Sequence, residues 1–228
     1  MATFMTHGTA GPYRTFDGGA TWHENSVAGH EAGQFIWATS LSGYACVSGR
    51  AFTSETFTYR TEDGGATWNP WRDGCEFASY PEAQYVAPGI AWATRTEGGL
   101  LYTADGWKSK VQPPTGDPDI IVYGVHFSTV LRGWAAASYA GSQALLLVTV
   151  DGGARWDRKS LPPEYSKALA VQMVDAQRGW VLARRDPPRP PQFGYPDEGS
   201  YVWLRTWDGG VHWVAELDAS ESRSDCVQ

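Results

Sequence analysis

The chain has 228 residues, of which 42% are apolar and 14% aromatic, with 26 Gly, 14 Pro and a formal net charge of −7. That mixture suits many short strands joined by tight turns. Its scattered Lys and Arg exclude the basic stripe that a nucleic-acid backbone requires, and no apolar run reaches the roughly 18 residues of a transmembrane helix.

The first residues, Met1-Ala2-Thr3-Phe4-Met5-Thr6-His7, lack the basic and apolar segments of a signal peptide. The expectation is a cytoplasmic protein, unless the chain is a mature or truncated form. Three cysteines, Cys46, Cys75 and Cys226, cannot all pair with one another and lack metal-knuckle spacing. Buried or loop thiols are expected, with a Cys75–Cys226 disulfide as the alternative. No cofactor or metal is expected, because no phosphate loop, nucleophile elbow or metal-binding helix motif occurs.

One eight-residue stretch organises the rest. Thr15-Phe16-Asp17-Gly18-Gly19-Ala20-Thr21-Trp22 returns at 61–68, 149–156 and 206–213, and in worn form at 103–110. Asp17, Asp63, Asp105, Asp151 and Asp208 follow one another at intervals of 46, 42, 46 and 57 residues. Each Asp-Gly turn sits between aromatic or β-branched runs, a hairpin signal. Upstream lies a Gly-aromatic-small segment, as in Gly133-Trp134-Ala135 and Gly179-Trp180-Val181, and before that an apolar run such as Val122–Phe127. One period therefore holds four strands, A to D, with the Asp motif at the C–D turn. Four strands per period of about 45 residues is the mark of a propeller blade. The reading is all-β: one domain over 1–228, a five-bladed β-propeller of four-stranded antiparallel blades. The first copy lacks strand A, and the C-terminal tail is expected to supply it.

The Ser/Thr-x-Asp-x-Gly-x-Thr-Trp pattern resembles the Asp-box, the bacterial neuraminidase repeat of sialidase-like propellers. With its Gly-Trp segments the chain looks most like the propellers of photosystem II assembly and stability factors. Arg155 and His212 replace the Thr of the motif, and the third copy loses its second Gly and its Trp. An active site needs one constellation rather than five identical ones, so Asp17, Asp63, Asp105, Asp151 and Asp208 are read as turn-holders. Trp22, Trp68, Trp156 and Trp213 are read as packing residues.

Function is expected at the other end of the strands, where the B–C and D–A loops lie; the resemblance implies the same. The longest such loop, 184–198, carries five prolines, and Arg184, Arg185, Arg189, Tyr195 and Glu198 lie along it. Glu164 and Tyr165, Arg50 and His30 complete the candidate ligand-binding set; no catalytic residue is assigned. The expected function is a non-catalytic, monomeric scaffold for a protein, peptide or glycan. A sialidase-like glycoside hydrolase is the alternative, and a lectin the second. Sialidases resemble one another in an early Arg-Ile/Leu-Pro motif, which Pro12-Tyr13-Arg14-Thr15 does not match.

Overall fold

Buried and exposed positions alternate along the strands: Val202, Leu204 and Thr206 point inward while Tyr201, Trp203 and Arg205 are exposed. Period-two alternation of this kind makes sheets that bury at least one face. The computed structural model describes residues 3–4, 13–15, 17, 19–24, 27, 32–39, 41–48, 55–73, 75, 83–95, 97–112, 115–140, 142–186 and 199–218. Among them it contains strands and turns and no helix.

Eighteen strands form five antiparallel sheets in chain order. Sheet I holds β1 (Thr3–Phe4), β2 (Tyr13–Arg14) and β3 (His23–Glu24). Sheet II holds β4 (Ala32–Trp37), β5 (Gly43–Ser48), β6 (Thr56–Thr61) and β7 (Asn69–Asp73). Sheet III holds β8 (Ala83–Ala87), β9 (Ile90–Thr94) and β10 (Leu100–Thr103). Sheet IV holds β11 (Ile120–Phe127), β12 (Gly133–Tyr139), β13 (Gln143–Thr149) and β14 (Asp157–Ser160). Sheet V holds β15 (Tyr165–Met173), β16 (Gly179–Arg185), β17 (Ser200–Thr206) and β18 (Val214–Asp218). Every pairing joins sequence neighbours, so each sheet is a meander; the Asp-Gly turn precedes the last strand in I, II, IV and V and follows β10 in III.

Four strands per sheet is thus met in II, IV and V but not in I and III. In sheet III the fourth strand shrinks to a single bridge between Tyr102 and Val111. The sequence continues Pro113-Pro114, and proline has no N–H to donate to a ladder. The tail expected to complete sheet I lies outside the described residues.

Sheets stack through their faces. Trp92 of β9 stacks on Phe127 of β11 with ring centroids 4.5 Å apart, and Tyr44 of β5 stacks on Tyr85 of β8 at 4.0 Å. Trp134 of β12 and Met173 of β15 occupy the same place in the seam between IV and V. In sheets II, IV and V the residue that ends the first strand also covers the Gly that opens the second. A Cβ on Gly133 would stand 2.5 Å from the Phe127 ring, and one on Gly43 2.5 Å from Trp37. This is why β5 and β12 begin Gly-aromatic: the Gly admits the first strand's ring, and the aromatic after it packs at the neighbouring sheet.

Polar latches tie the first strands together. The Gln84 side chain of β8 donates to the Phe127 carbonyl (2.9 Å) and accepts from the Phe127 N–H (2.7 Å). At the repeat-equivalent position, burial lowers the pKa of His126, opposed by its hydrogen bonds to the Gln172 side chain and the Met173 backbone.

A disulfide joins Cys46 of β5 to Cys75, with Cα atoms 5.5 Å apart. It lies in the apolar cluster between sheets II and III, with Tyr44 and Tyr85. This corrects the expectation for the cysteines: Cys75 pairs with Cys46, neither with Cys226 nor left as a thiol. Cys46 and Cys75 are separated by 29 residues, and the II–III seam brings them together.

Candidate functional site

The five Asp turns share one network. In the second, the Thr61 hydroxyl donates to Asp63 Oδ1 (2.8 Å) and accepts from the Gly65 N–H (2.7 Å). Asp63 Oδ1 also accepts from the Thr67 N–H (2.9 Å), and Oδ2 from the Thr67 hydroxyl (2.6 Å). The first turn repeats these contacts through Thr15, Asp17 and Thr21. In the last turn His212 replaces the hydroxyl: its N–H donates to Asp208 Oδ1 and its ring Nδ1 lies 2.6 Å from Oδ2. In the fourth, Arg155 supplies its backbone N–H.

The third copy is less worn in space than in sequence. Trp107 takes the place of the second Gly, at φ 72°, and its N–H donates to the Thr103 hydroxyl (3.0 Å). Ser109 then serves Asp105 as Thr67 serves Asp63. Hydrogen bonds to an ionised carboxylate favour that form. Bonds from Thr21 hold Asp17, and from Thr67 Asp63, well below the usual carboxylate range; bonds from Ser109 bring Asp105 to about 2.

The opposite end of the strands gathers different chemistry. Arg185 ends β16 directly across from Tyr165. Its Nη2 donates to the Tyr165 hydroxyl (3.1 Å), and its guanidinium lies 5.3 Å from the ring centroid. Lys167, on the same strand as Tyr165, places its ammonium 5.9 Å from the Tyr123 ring of sheet IV. Arg184 pairs across from Lys167 and bridges Asp186 at 3.3 Å. Of the residues singled out in the sequence, Arg185 and Tyr165 therefore meet, whereas Arg184, the next residue along β16, pairs with Lys167 instead. Glu164 is adjacent and exposed, but the Tyr165 hydroxyl takes Arg185. His30, Arg50, Arg189, Tyr195 and Glu198 lie outside the described residues. Sequence reading passed over Lys167 and Tyr123, although Lys167 is the one Lys or Arg within the first strands of sheets II to V.

A cleft of about 610 Å³ opens at this same end between sheets III and IV. Glu97 to Leu100, Gln112, Thr115 to Pro118, Ile120 and Ile121 line it. Arg95 holds Glu97 (3.2 Å) and Gln112 (3.1 Å), while Arg158 holds Asp117 (3.1 Å). Among the described residues no group of His, Cys, Asp and Glu could hold a metal ion.

Comparison with known proteins adds three findings. Residues 13–24 match the BNR/Asp-box repeat. No curated protein matches the chain in sequence. Similar solved structures include YCF48 bound to a D1 peptide, at 15% identity and a TM-score of 0.44, covering 90% of this chain and 74% of that one. YCF48 from Cyanidioschyzon merolae is 14% identical with a TM-score of 0.44, over 90% of this chain and 77% of that one. A GH74 xyloglucanase from Xanthomonas campestris is 13% identical with a TM-score of 0.47; the match takes in 91% of this chain but 42% of the enzyme.

Proposed function

We propose that the chain is a five-bladed Asp-box propeller that acts as a non-catalytic scaffold, holding a protein, peptide or glycan at the end opposite its Asp turns. The observation that carries this reading is the commitment of the repeated carboxylates. All five accept bonds from within their own turns, so the most conspicuous acids of the sequence have a local structural task. The ligand set is Arg184, Arg185, Glu164 and Tyr165, with His30, Arg50, Arg189, Tyr195 and Glu198. Among the described members, Arg184 and Arg185 are half-buried at the end of β16 and Tyr165 is buried at the start of β15, so this end offers a ligand guanidinium groups held on a rigid scaffold.

Ring closure is part of the proposal, with residues 219–228 completing the first blade. Tyr201 and Trp203 are 48% and 37% exposed, whereas their repeat equivalents Ala144 and Leu146 are fully buried against the next sheet. Sheet V thus has a face of the kind that elsewhere receives another blade. Deleting residues 219–228 should lower the melting temperature; unchanged melting would remove the closure.

The test of the binding reading is an array of peptides and glycans probed with the intact protein. Arg185→Ala should lose the retained ligand while Asp151→Asn keeps it. A glycoside hydrolase remains the second reading on one observation: Glu97 and Asp117 line the same cleft, and glycosidases use a carboxylate pair roughly 5–10 Å apart. Fluorogenic glycosides decide between the two. The scaffold reading expects no turnover; turnover abolished in Glu97→Gln or Asp117→Asn would replace it with hydrolysis.

A further inference from the structure

Twelve large apolar side chains are exposed among the described residues, and they are not spread evenly. Seven stand in the turns at the Asp-box end: Leu41, Val130, Leu131, Val150, Val174, Trp207 and Val211. All but Leu41 come from sheets IV and V. Those turns touch one another. The Gly152 N–H donates to the Leu131 carbonyl (2.8 Å), and the Gly209 N–H to the Gln177 carbonyl (2.8 Å). Lys159 of sheet IV donates to the Gly209 carbonyl of sheet V (2.7 Å), joining the two pairs. All lie at the same end of the strands and are exposed.

The charges on this surface are sorted. The carboxylates of Asp151, Asp175 and Asp208 each accept hydrogen bonds within their own turns. Arg132, next to Leu131 in sequence, has no carboxylate ion-pair partner among the described residues, and Arg155, in the turn that carries Val150, makes no ion pair there but attracts the Asp151 carboxylate. Aliphatic side chains and a Trp in turns that also carry guanidinium groups match the layering of a bilayer surface. There, phosphate headgroups lie above an apolar boundary, and Trp favours the level between them.

We propose that the Asp-box end of sheets IV and V docks on a phospholipid bilayer, with Leu131, Val150 and Trp207 entering the interface and Arg132 and Arg155 meeting lipid phosphate. The remainder of the protein carries the net negative charge, which orients this end towards an anionic surface. The opposite end, with Arg185 and Tyr165, then faces away from the membrane.

Co-sedimentation of the full chain with large unilamellar vesicles tests this, using phosphatidylcholine alone and phosphatidylcholine mixed with phosphatidylserine. The wild type should pellet with the mixed vesicles. Leu131→Glu and Trp207→Glu should each reduce the bound fraction roughly tenfold or more, because each removes an apolar side chain from the interface. Arg132→Glu should cost about fivefold on mixed vesicles and less on phosphatidylcholine alone. All three side chains stand in turns, so circular dichroism and melting should match the wild type and exclude misfolding. Failure of the wild type to pellet with either vesicle would overturn the proposal. So would variants that pellet unchanged, or a dimer in vesicle-free solution that Leu131→Glu dissociates, which would assign the face to a second copy. Ligand capture by the opposite end, and its loss in Arg185→Ala, is read separately and stands or falls by itself.

Discussion

Thr149 shows how a side chain of one hydroxyl can hold a turn. It is 1% exposed, donates to Asp151 Oδ1 and accepts from the N–H groups of Asp151 and Gly153. Valine has the same shape without the hydroxyl, leaving a buried N–H unpaired at a cost of about 1–3 kcal/mol. Thr149→Val should therefore lower the midpoint of chemical denaturation by that amount, whereas Thr129→Val in the exposed neighbouring turn should cost less. The acids of this network also set an acid limit. Ser109 brings Asp105 to about 2, and backbone bonds from Gln177 and Arg178 bring Asp175 to about 2, against an ordinary 3.8. A depressed folded pKa gives stability that is present above the unfolded value and lost as pH falls through the folded one. Denaturation midpoints should fall between pH 4 and pH 2, and Asp105→Asn should flatten that fall. The turn residues were legible in the sequence because the same letters return. The part played by Trp107 was not, since a Trp at φ 72° looks like decay of the motif until its N–H is seen to reach Thr103.

Strands depend on the glycines that border them. Gly153 has φ 84°, and a Cβ there would stand 2.2 Å from the Trp92 ring, itself 1% exposed in the seam between sheets III and IV. Gly153→Ala must strain the backbone and displace a buried ring, and overpacking of this kind costs about 1–3 kcal/mol before the backbone is counted. Differential scanning calorimetry should show the loss, and Gly116→Ala should show less, because the nearest atom to its Cβ is an Arg158 nitrogen at 3.6 Å. Hairpin pairing followed from the alternation and turn chemistry of the sequence, which is local information. The shortened fourth strand of sheet III was carried by Pro113-Pro114, a signal outweighed by the regularity of the repeat. Which strand faces meet was not legible at all: the stacking of Trp92 on Phe127 joins residues of different periods.

At the scale of the molecule, the two ends of the strands carry different chemistry, and they were unequally visible. Loops with Arg, Tyr and Glu marked one end in the sequence. The apolar tips at the other end are single letters inside turns, at positions the motif leaves free, such as Val150 and Trp207, and they become a surface only once adjacent sheets align them. Lys167 was hidden for the same reason: its companion Tyr123 belongs to the preceding sheet. The seam between sheets II and III has a property of another kind. Cys46 and Cys75 are 6% and 8% exposed, and their bridge closes a 29-residue span across sheet II. A cross-link over a span of that length stabilises by about 3–4 kcal/mol, mainly by restricting the unfolded chain. Disulfides persist in oxidising surroundings and are rare where glutathione and thioredoxin keep thiols reduced. The sequence therefore specifies two materials: a cross-linked protein when made outside the reducing cytosol, and an uncross-linked, less heat-resistant one when made within it. Preparations from the two sources should differ in free thiol content and melting temperature, and incubation with dithiothreitol followed by unfolding and refolding should convert the first into the second.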